Sequence, residues 1–114
     1  MKIEGLGKLL RIYIGEQDKL HNQSLYEAIV YKAREMGMAG ATVIRAIEGF
    51  GAASRTIHTA KLLRLSEDLP ILIEIVDTEE RIRKAVSEFE KMIDESGAGV
   101  LMTMEQVDIL RYNQ

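Results

Sequence analysis

A chain of 114 residues, 46% hydrophobic and 29% charged, is long enough for one packed core and too short for two. Its 15 Lys and Arg against 18 Asp and Glu leave a formal charge of -3, so no basic excess favours nucleic acid. The lack of cysteine excludes a disulfide framework, a thiolate nucleophile and a cysteine-ligated zinc site.

Met1 opens onto KIEGLGKLLRIYIG, whose apolar run is too short to span a bilayer and is followed by no small-residue cleavage site. The expectation is a cytoplasmic protein without direct membrane insertion. In KLLRIYIG, Leu10, Ile12 and Ile14 alternate with Leu9, Arg11 and Tyr13 until Gly15, which predicts a first strand. In SLYE, Ser24 stands three residues before Glu27, the spacing of a reciprocal cap at a helix start. Leu25, Ile29, Ala33 and Met36 form one stripe of that helix, and Gly37 supplies its stop. The β-branched ATVIRAIE, between Gly40 and Gly49, predicts a second strand, and ILIEIV after Pro70 a third. Asp77 is placed to cap a second helix, whose apolar stripe is Ile82, Val86, Phe89 and Ile93 and whose end is SGAG. VLMTMEQVDIL reads as a fourth strand.

The order β-α-β-β-α-β predicts an α+β, ferredoxin-like fold: a four-stranded antiparallel sheet with both helices on one face. ILIEIV carries apolar groups on both parities, so the uncovered face calls for cover, and self-association is the simplest source. The plainer alternative is a tolerated, mildly hydrophobic surface. From Gly49 to Pro70 the connection is far longer than a hairpin needs. KLLRL could extend the ladder, while GFGAASRTIHT has few apolar anchors and is expected to be mobile until a ligand or partner orders it. The expectation is a single domain over 1–114 with a protruding loop at about 51–68.

Catalytic groups are sparse. His21 and His58 are the only histidines, and neither has the spacing of a metal site. Ser54, Arg55 and His58 share the loop and could be drawn as a catalytic cluster, but a solvated loop that meets a partner is the better reading. GEQDKLHNQ, after the first strand, has no arginine for acyl-phosphate hydrolysis. The third strand has no aromatic residue for stacking RNA bases. Met36 and Met92 suit core packing rather than a cofactor box.

LRIYIGE, SLYEAIV, GATVIRAIEGFGA and SEDLPILIEIVD, taken in order and over almost the whole chain, resemble a widespread PII-like family related to the PII nitrogen-regulatory proteins. The resemblance implies a homotrimer with open sheet faces turned inward, adenine nucleotide (ATP, ADP or AMP) bound in clefts between subunits, and a loop that docks on a target transporter or enzyme. It implies that Gly40, Ala41 and Thr42 approach the base, while Gly49, Gly51, Glu74, Val76, Gly97 and Gly99 complete the cleft and Arg111 meets phosphate. Ser54, Arg55 and His58 fall in the partner-binding loop. No catalytic residue, metal or obligatory cofactor is implied. The plainer readings are a helix stop for Gly97 and Gly99, a solvated carboxylate for Glu74 and a solvated terminal charge for Arg111.

The chain departs from the PII pattern at Val100, where a phosphate-binding lysine is usual, and at Asn113, where a second arginine is usual. Both changes make a diphosphate or monophosphate at least as suitable as a triphosphate. No tyrosine lies between Gly51 and Pro70 to be modified. The function expected is regulation without turnover; a trimeric adaptor lacking an effector, or a small nucleotide hydrolase, are the alternatives.

Overall fold

The structure, a computed structural model, describes residues 1–52, 54, 56–59 and 68–114, with only the backbone of His58. In chain order its elements are β1 (Gly5–Gly15), β2 (Lys19–Leu20), β3 (Gln23–Ser24), α1 (Leu25–Glu35), β4 (Thr42–Arg45), β5 (Glu48–Gly49), β6 (His58–Thr59), β7 (Pro70–Asp77), α2 (Glu79–Ser96) and β8 (Leu101–Ile109). The four long strands form one sheet in the order β4-β7-β1-β8, each neighbouring pair antiparallel, which is the expected ferredoxin-like α+β plan. Two small hairpins, β2–β3 and β5–β6, are added to it.

One sheet face makes the core. Register sets Leu10 beside Ile75, Ile12 beside Ile73 and Ile14 beside Ile71, and all six side chains are buried. Both helices close this face, with Leu25, Ile29 and Ala33 from α1 and Ile82, Ala85, Phe89 and Ile93 from α2. Val86, expected in the stripe, only flanks the core, and Ala85 takes the inward place. Phe89 is fully buried; truncation there costs roughly 3–5 kcal/mol.

Helix ends follow different chemistry from that expected. Ser24 occupies the N-cap position of α1 without a side-chain cap bond, because it is already held in the β2–β3 hairpin opposite Lys19 and the chain is tied there by Leu25 N–H donating to Asp18 O at 2.9 Å. The cap of α2 is Thr78, whose hydroxyl accepts Arg81 N–H, and not Asp77, which remains in β7 with its carboxylate buried. Gly37 and Gly97 do stop their helices, both in the left-handed region at φ +73° and +74°.

The second strand is shorter than ATVIRAIE. Ala46 N–H donates to Pro70 O at 2.9 Å, and there the ladder ends, since proline offers no N–H to continue it. The chain then turns into β5, whose Glu48 and Gly49 pair with Thr59 and His58. The base of the long connection is therefore a hairpin, tied further by mutual bonds between Gly51 and Ser54. KLLRL, the expected ladder extension, lies outside the described residues.

Candidate functional site

The open face of the sheet is more polar at its centre than the apolar reading of ILIEIV implies. Tyr13, Ile44, Val76 and Leu101 are exposed there, but register brings Arg11 directly beside Glu74, with Glu105 two residues along β8 from its other partner, Thr103. Arg11 Nε donates to Glu74 Oε2 at 3.0 Å and Nη1 to Glu105 Oε1 at 2.6 Å, a three-strand ion triad. Hydrogen bonding to Glu74, with the two carboxylates nearby, holds the Arg11 pKa above its ordinary value. Glu74 is thus a mid-sheet residue engaged by a cation, not a carboxylate reaching solvent from a strand end.

Of the ten residues expected to bind nucleotide, four lie at one end of this sheet, four toward the other, and Thr42 and Glu74 between them. Gly49 lies against Pro70, where a Cβ would stand 3.0 Å from the proline Cγ, so no larger residue fits without displacing the ring. Gly49, Phe50 and Gly51 lie beside Tyr13, Pro70 and Leu101 and with them line a half-open, mostly apolar pocket of about 160 Å³. Gly97 and Gly99 join this end, because they lead into β8, whose first residue Leu101 pairs with Tyr13.

The root of the loop is clamped on both sides by the turn after β1. Glu16 takes a two-pronged contact from Arg45, 2.7 Å from Nε and 3.0 Å from Nη2, before the loop begins. Asp68 accepts Gln17 N–H at 2.9 Å after it ends. Within that turn Asp18 accepts Gly15 N–H at 2.9 Å, and burial, aided by the nearby Asp68 charge, pushes its carboxyl pKa up.

The other group comprises Gly40, Ala41, Val76 and Arg111, with Thr42 and Glu74 between it and the first. Thr42 sits opposite Glu74 on the open face, and Val76 is two residues further along β7. From Val76 to Pro70 is six residues of strand, roughly 20 Å, and from Glu74 four residues, roughly 13 Å, so the Gly40, Ala41, Val76 and Arg111 end stands well apart from the loop root on a single chain. Nothing approaches a Cβ built on Gly40, so that glycine is not imposed by packing within one chain.

Its neighbour Ala39 is held tightly. Ala39 N–H donates to Asp77 Oδ2 at 2.9 Å, and Ala39 O accepts the Tyr112 hydroxyl at 2.8 Å. Asp77 also accepts Thr78 N–H at 2.7 Å and Arg81 Nε at 3.0 Å, while Arg81 Nη2 bonds Gly37 O. Arg111 is exposed, its Nε donating to Asn113 Oδ1 at 2.8 Å. The C-terminal strand and the segment before β4 are therefore joined through Tyr112.

Of the expected partner-binding residues, Ser54 lies in the tied base of the loop and His58 pairs with Gly49 in β6, while Arg55 lies outside the described residues. Asp77 and Arg11 were missed as members of the two networks. Arg11 shares its strand parity with Tyr13, a signal that it belongs to the open face; for Asp77 the local signal is Arg81 four residues on, while its partner Ala39 comes from the loop before β4 and carries none. Among the described residues no three of His, Asp and Glu come together to hold a metal, and no helix is long and apolar enough to cross a membrane.

This architecture is shared with solved PII-like proteins. The chain superposes on CPII of Thiomonas intermedia K12, a nitrogen regulatory PII-like protein bound to ADP, AMP and bicarbonate, with a TM-score of 0.67 at 16% identity over 96% of this chain and 91% of that one. A Thermus thermophilus protein described as a putative PII-like signaling protein gives 0.66 at 18% identity, over 93% and 91% of the two chains. A phage SAM lyase in complex with S-methyl-5'-thioadenosine gives 0.55 at 13% identity, over 93% and 87%. These likenesses define a PII-like fold, one on which an enzyme is also built. By sequence the chain belongs to the DUF190 family, described as an uncharacterized ACR, which matches residues 7–109. A UPF0166 protein of Aquifex aeolicus is 36% identical over 103 residues, 90% of this chain and 92% of the relative, and one of Methanocaldococcus jannaschii is 36% identical over 90 residues, 79% and 82%.

Proposed function

We propose that this protein is a PII-like regulator that binds an adenine nucleotide at the seam between copies of itself and reports the bound state through the loop at about 51–68. The observation that carries the reading is the division of the expected binding residues between two ends of one sheet. A cleft made of the Gly49, Gly51, Gly97 and Gly99 end of one copy and the Gly40–Thr42, Glu74, Val76 and Arg111 end of a neighbour unites what one chain separates. A homotrimer closed around the open faces supplies three such seams, and the nucleotide-bound PII-like neighbour supports the ligand class.

The division of labour is physical. Small residues at the loop root let backbone amides approach oxyanions, and Arg111 presents a guanidinium to phosphate. Effector binding shifts the loop only by the difference in affinity between its states. Because the clamp by Glu16 and Asp68 fixes both ends of the loop to the β1 turn, a ligand against Gly49 acts at the hinge from which the loop leaves the body. The output is binding to a target transporter or enzyme, without turnover of the nucleotide.

The seam is tested by complementation. Isothermal titration of Gly49→Val or Arg111→Ala chains alone should show weak or no nucleotide binding. Assemblies refolded from a mixture should recover a fraction of the sites, because some seams then join two intact halves. Recovery would fail if the site lay within one chain, and absence of heat from the wild type with every adenine nucleotide would remove the effector. A steady-state assay with Mg-ATP should release no phosphate; release would turn the reading toward a hydrolase.

A further inference from the structure

Two positions at which the PII pattern carries cations, Val100 and Asn113, are uncharged here. The fold brings a different cation to one of them. The segment before β1 runs back along the C-terminal tail: Ile3 N–H donates to Tyr112 O at 3.1 Å, Gln114 N–H to Met1 O at 3.2 Å, and Lys2 is the antiparallel partner of Asn113. In such a ribbon side chains alternate between its two sides. Ile3 is buried on one side, and Tyr112 turns the same way to reach Ala39 O. Lys2, Glu4, Arg111 and Asn113 consequently share the other side, and these four are among the residues that line an open pocket of about 450 Å³.

We propose that Lys2 is a second phosphate-binding residue of the nucleotide site, acting beside Arg111 in place of the missing arginine; this rests on the seam reading given above. Asn113 keeps a part in it. Its Oδ1 accepts Arg111 Nε at 2.8 Å, which fixes the plane of the guanidinium and leaves the Nη groups to point at a ligand. The charge that Asn113 lacks comes from its strand partner.

Among the described residues Lys2, Lys19, Arg34 and Arg111 form no ion pair, whereas Lys8, Arg11, Arg45, Arg81 and Arg83 are engaged by carboxylates; of the four, Lys2 and Arg111 share this pocket. The pocket therefore holds, on one face, two cations that no carboxylate engages. Glu4 is the one carboxylate in its lining, so the lining as a whole carries a single net positive charge. That balance suits the short, mobile anionic end of a monophosphate or diphosphate better than a triphosphate. The ligand class is thus an adenine nucleotide with one or two phosphates, and adenosine should be indifferent to Lys2.

Titration of the full chain with adenosine, AMP and ADP, at low and at moderate salt, separates the cases. For Lys2→Gln, ADP affinity should fall roughly tenfold, the loss of one charge-assisted bond to phosphate, and its dependence on salt should weaken. Lys2→Arg should restore both, Glu4→Gln should tighten ADP, and adenosine should bind all variants alike. If Lys2→Gln binds ADP as the wild type does while Arg111→Gln loses it, Lys2 has no such role and the seam reading stands. An equal loss for adenosine and ADP also overturns the proposal, since Lys2 then acts through structure. If the wild type binds none of the three, the seam reading itself fails and this proposal with it.

Discussion

Asp77→Ala removes the acceptor of three donors at once: Ala39 N–H, Thr78 N–H and Arg81 Nε. The carboxylate is fully buried, but the Arg81 side chain is 37% exposed and can return to water. The large penalty of stranding a buried charge is therefore avoided, and what remains is two backbone amides without their acceptor and a lost charge-assisted bond. The cost is roughly 2–4 kcal/mol. For a chain of this length that corresponds to a fall in melting temperature on the order of 10 °C. Asp77→Asn should lie between the two, because its amide keeps one oxygen but must present an N–H to one of the same donors. Denaturant melts give the energies, and hydrogen exchange locates them: protection at Ala39 should fall by more than the global loss, since Asp77 ties that segment to the start of α2. If Asp77→Ala stays within about 0.5 kcal/mol of wild type, the range of an ordinary surface substitution, the network is not what holds the 37–40 segment.

Gly97→Ala should cost about 1 kcal/mol, all of it from the left-handed backbone, because no atom lies within 4 Å of the added methyl; a neutral melt would refute the helix-stop role. Asp18 has a folded-state pKa raised by burial, so its contribution favours folding at low pH and is lost as pH rises through the folded value. Asp18→Asn should therefore be more stable than wild type at neutral pH, with the gap closing on acidification; a gap that widens in acid has the wrong sign. Arg11→Met leaves Glu74 and Glu105 without their shared cation and should melt below wild type, by more at low salt than at high salt. Equal deficits at both salt concentrations would mean that Arg11 contributes packing alone.

The fold was largely legible because its information is local and redundant. Leu10, Ile12 and Ile14, and again Ile71, Ile73 and Ile75, are alternating runs that admit only one inward face, and the stripe from Ile82 to Ile93 admits only one helix face. The errors sit where two distant segments decide. Thr78 and Asp77 are both good caps, and the choice between them was made by Ala39 and Arg81, which draw the Asp77 carboxylate inward. Ser24 likewise lost its cap to pairing with Lys19. ATVIRAIE looks like a continuous strand, yet its ladder stops where its neighbour begins with a proline.

The site was legible in parts, and the parts it lacked are those that a register supplies. Glu74 reads as a lone carboxylate in ILIEIV until β1 is laid beside it and Arg11 becomes its partner. This changes what Glu74 can do. Its Oε2, 3.0 Å from Arg11, helps to hold the open face together, and its backbone lies in an inner strand paired with Arg11 on one side and Thr42 on the other. The same triad bears on assembly: a face with Arg11 satisfied from both sides carries no unpaired cation at its centre, while the exposed Tyr13, Ile44, Val76 and Leu101 around it supply apolar area. Such a face can be covered by copies of itself at the cost of partly dehydrating a triad that is already complete, a smaller cost than burying a lone charge. Closure of the sheets and formation of the seams would then be one event, with the loop root and the 40–42 segment meeting only when the face is covered.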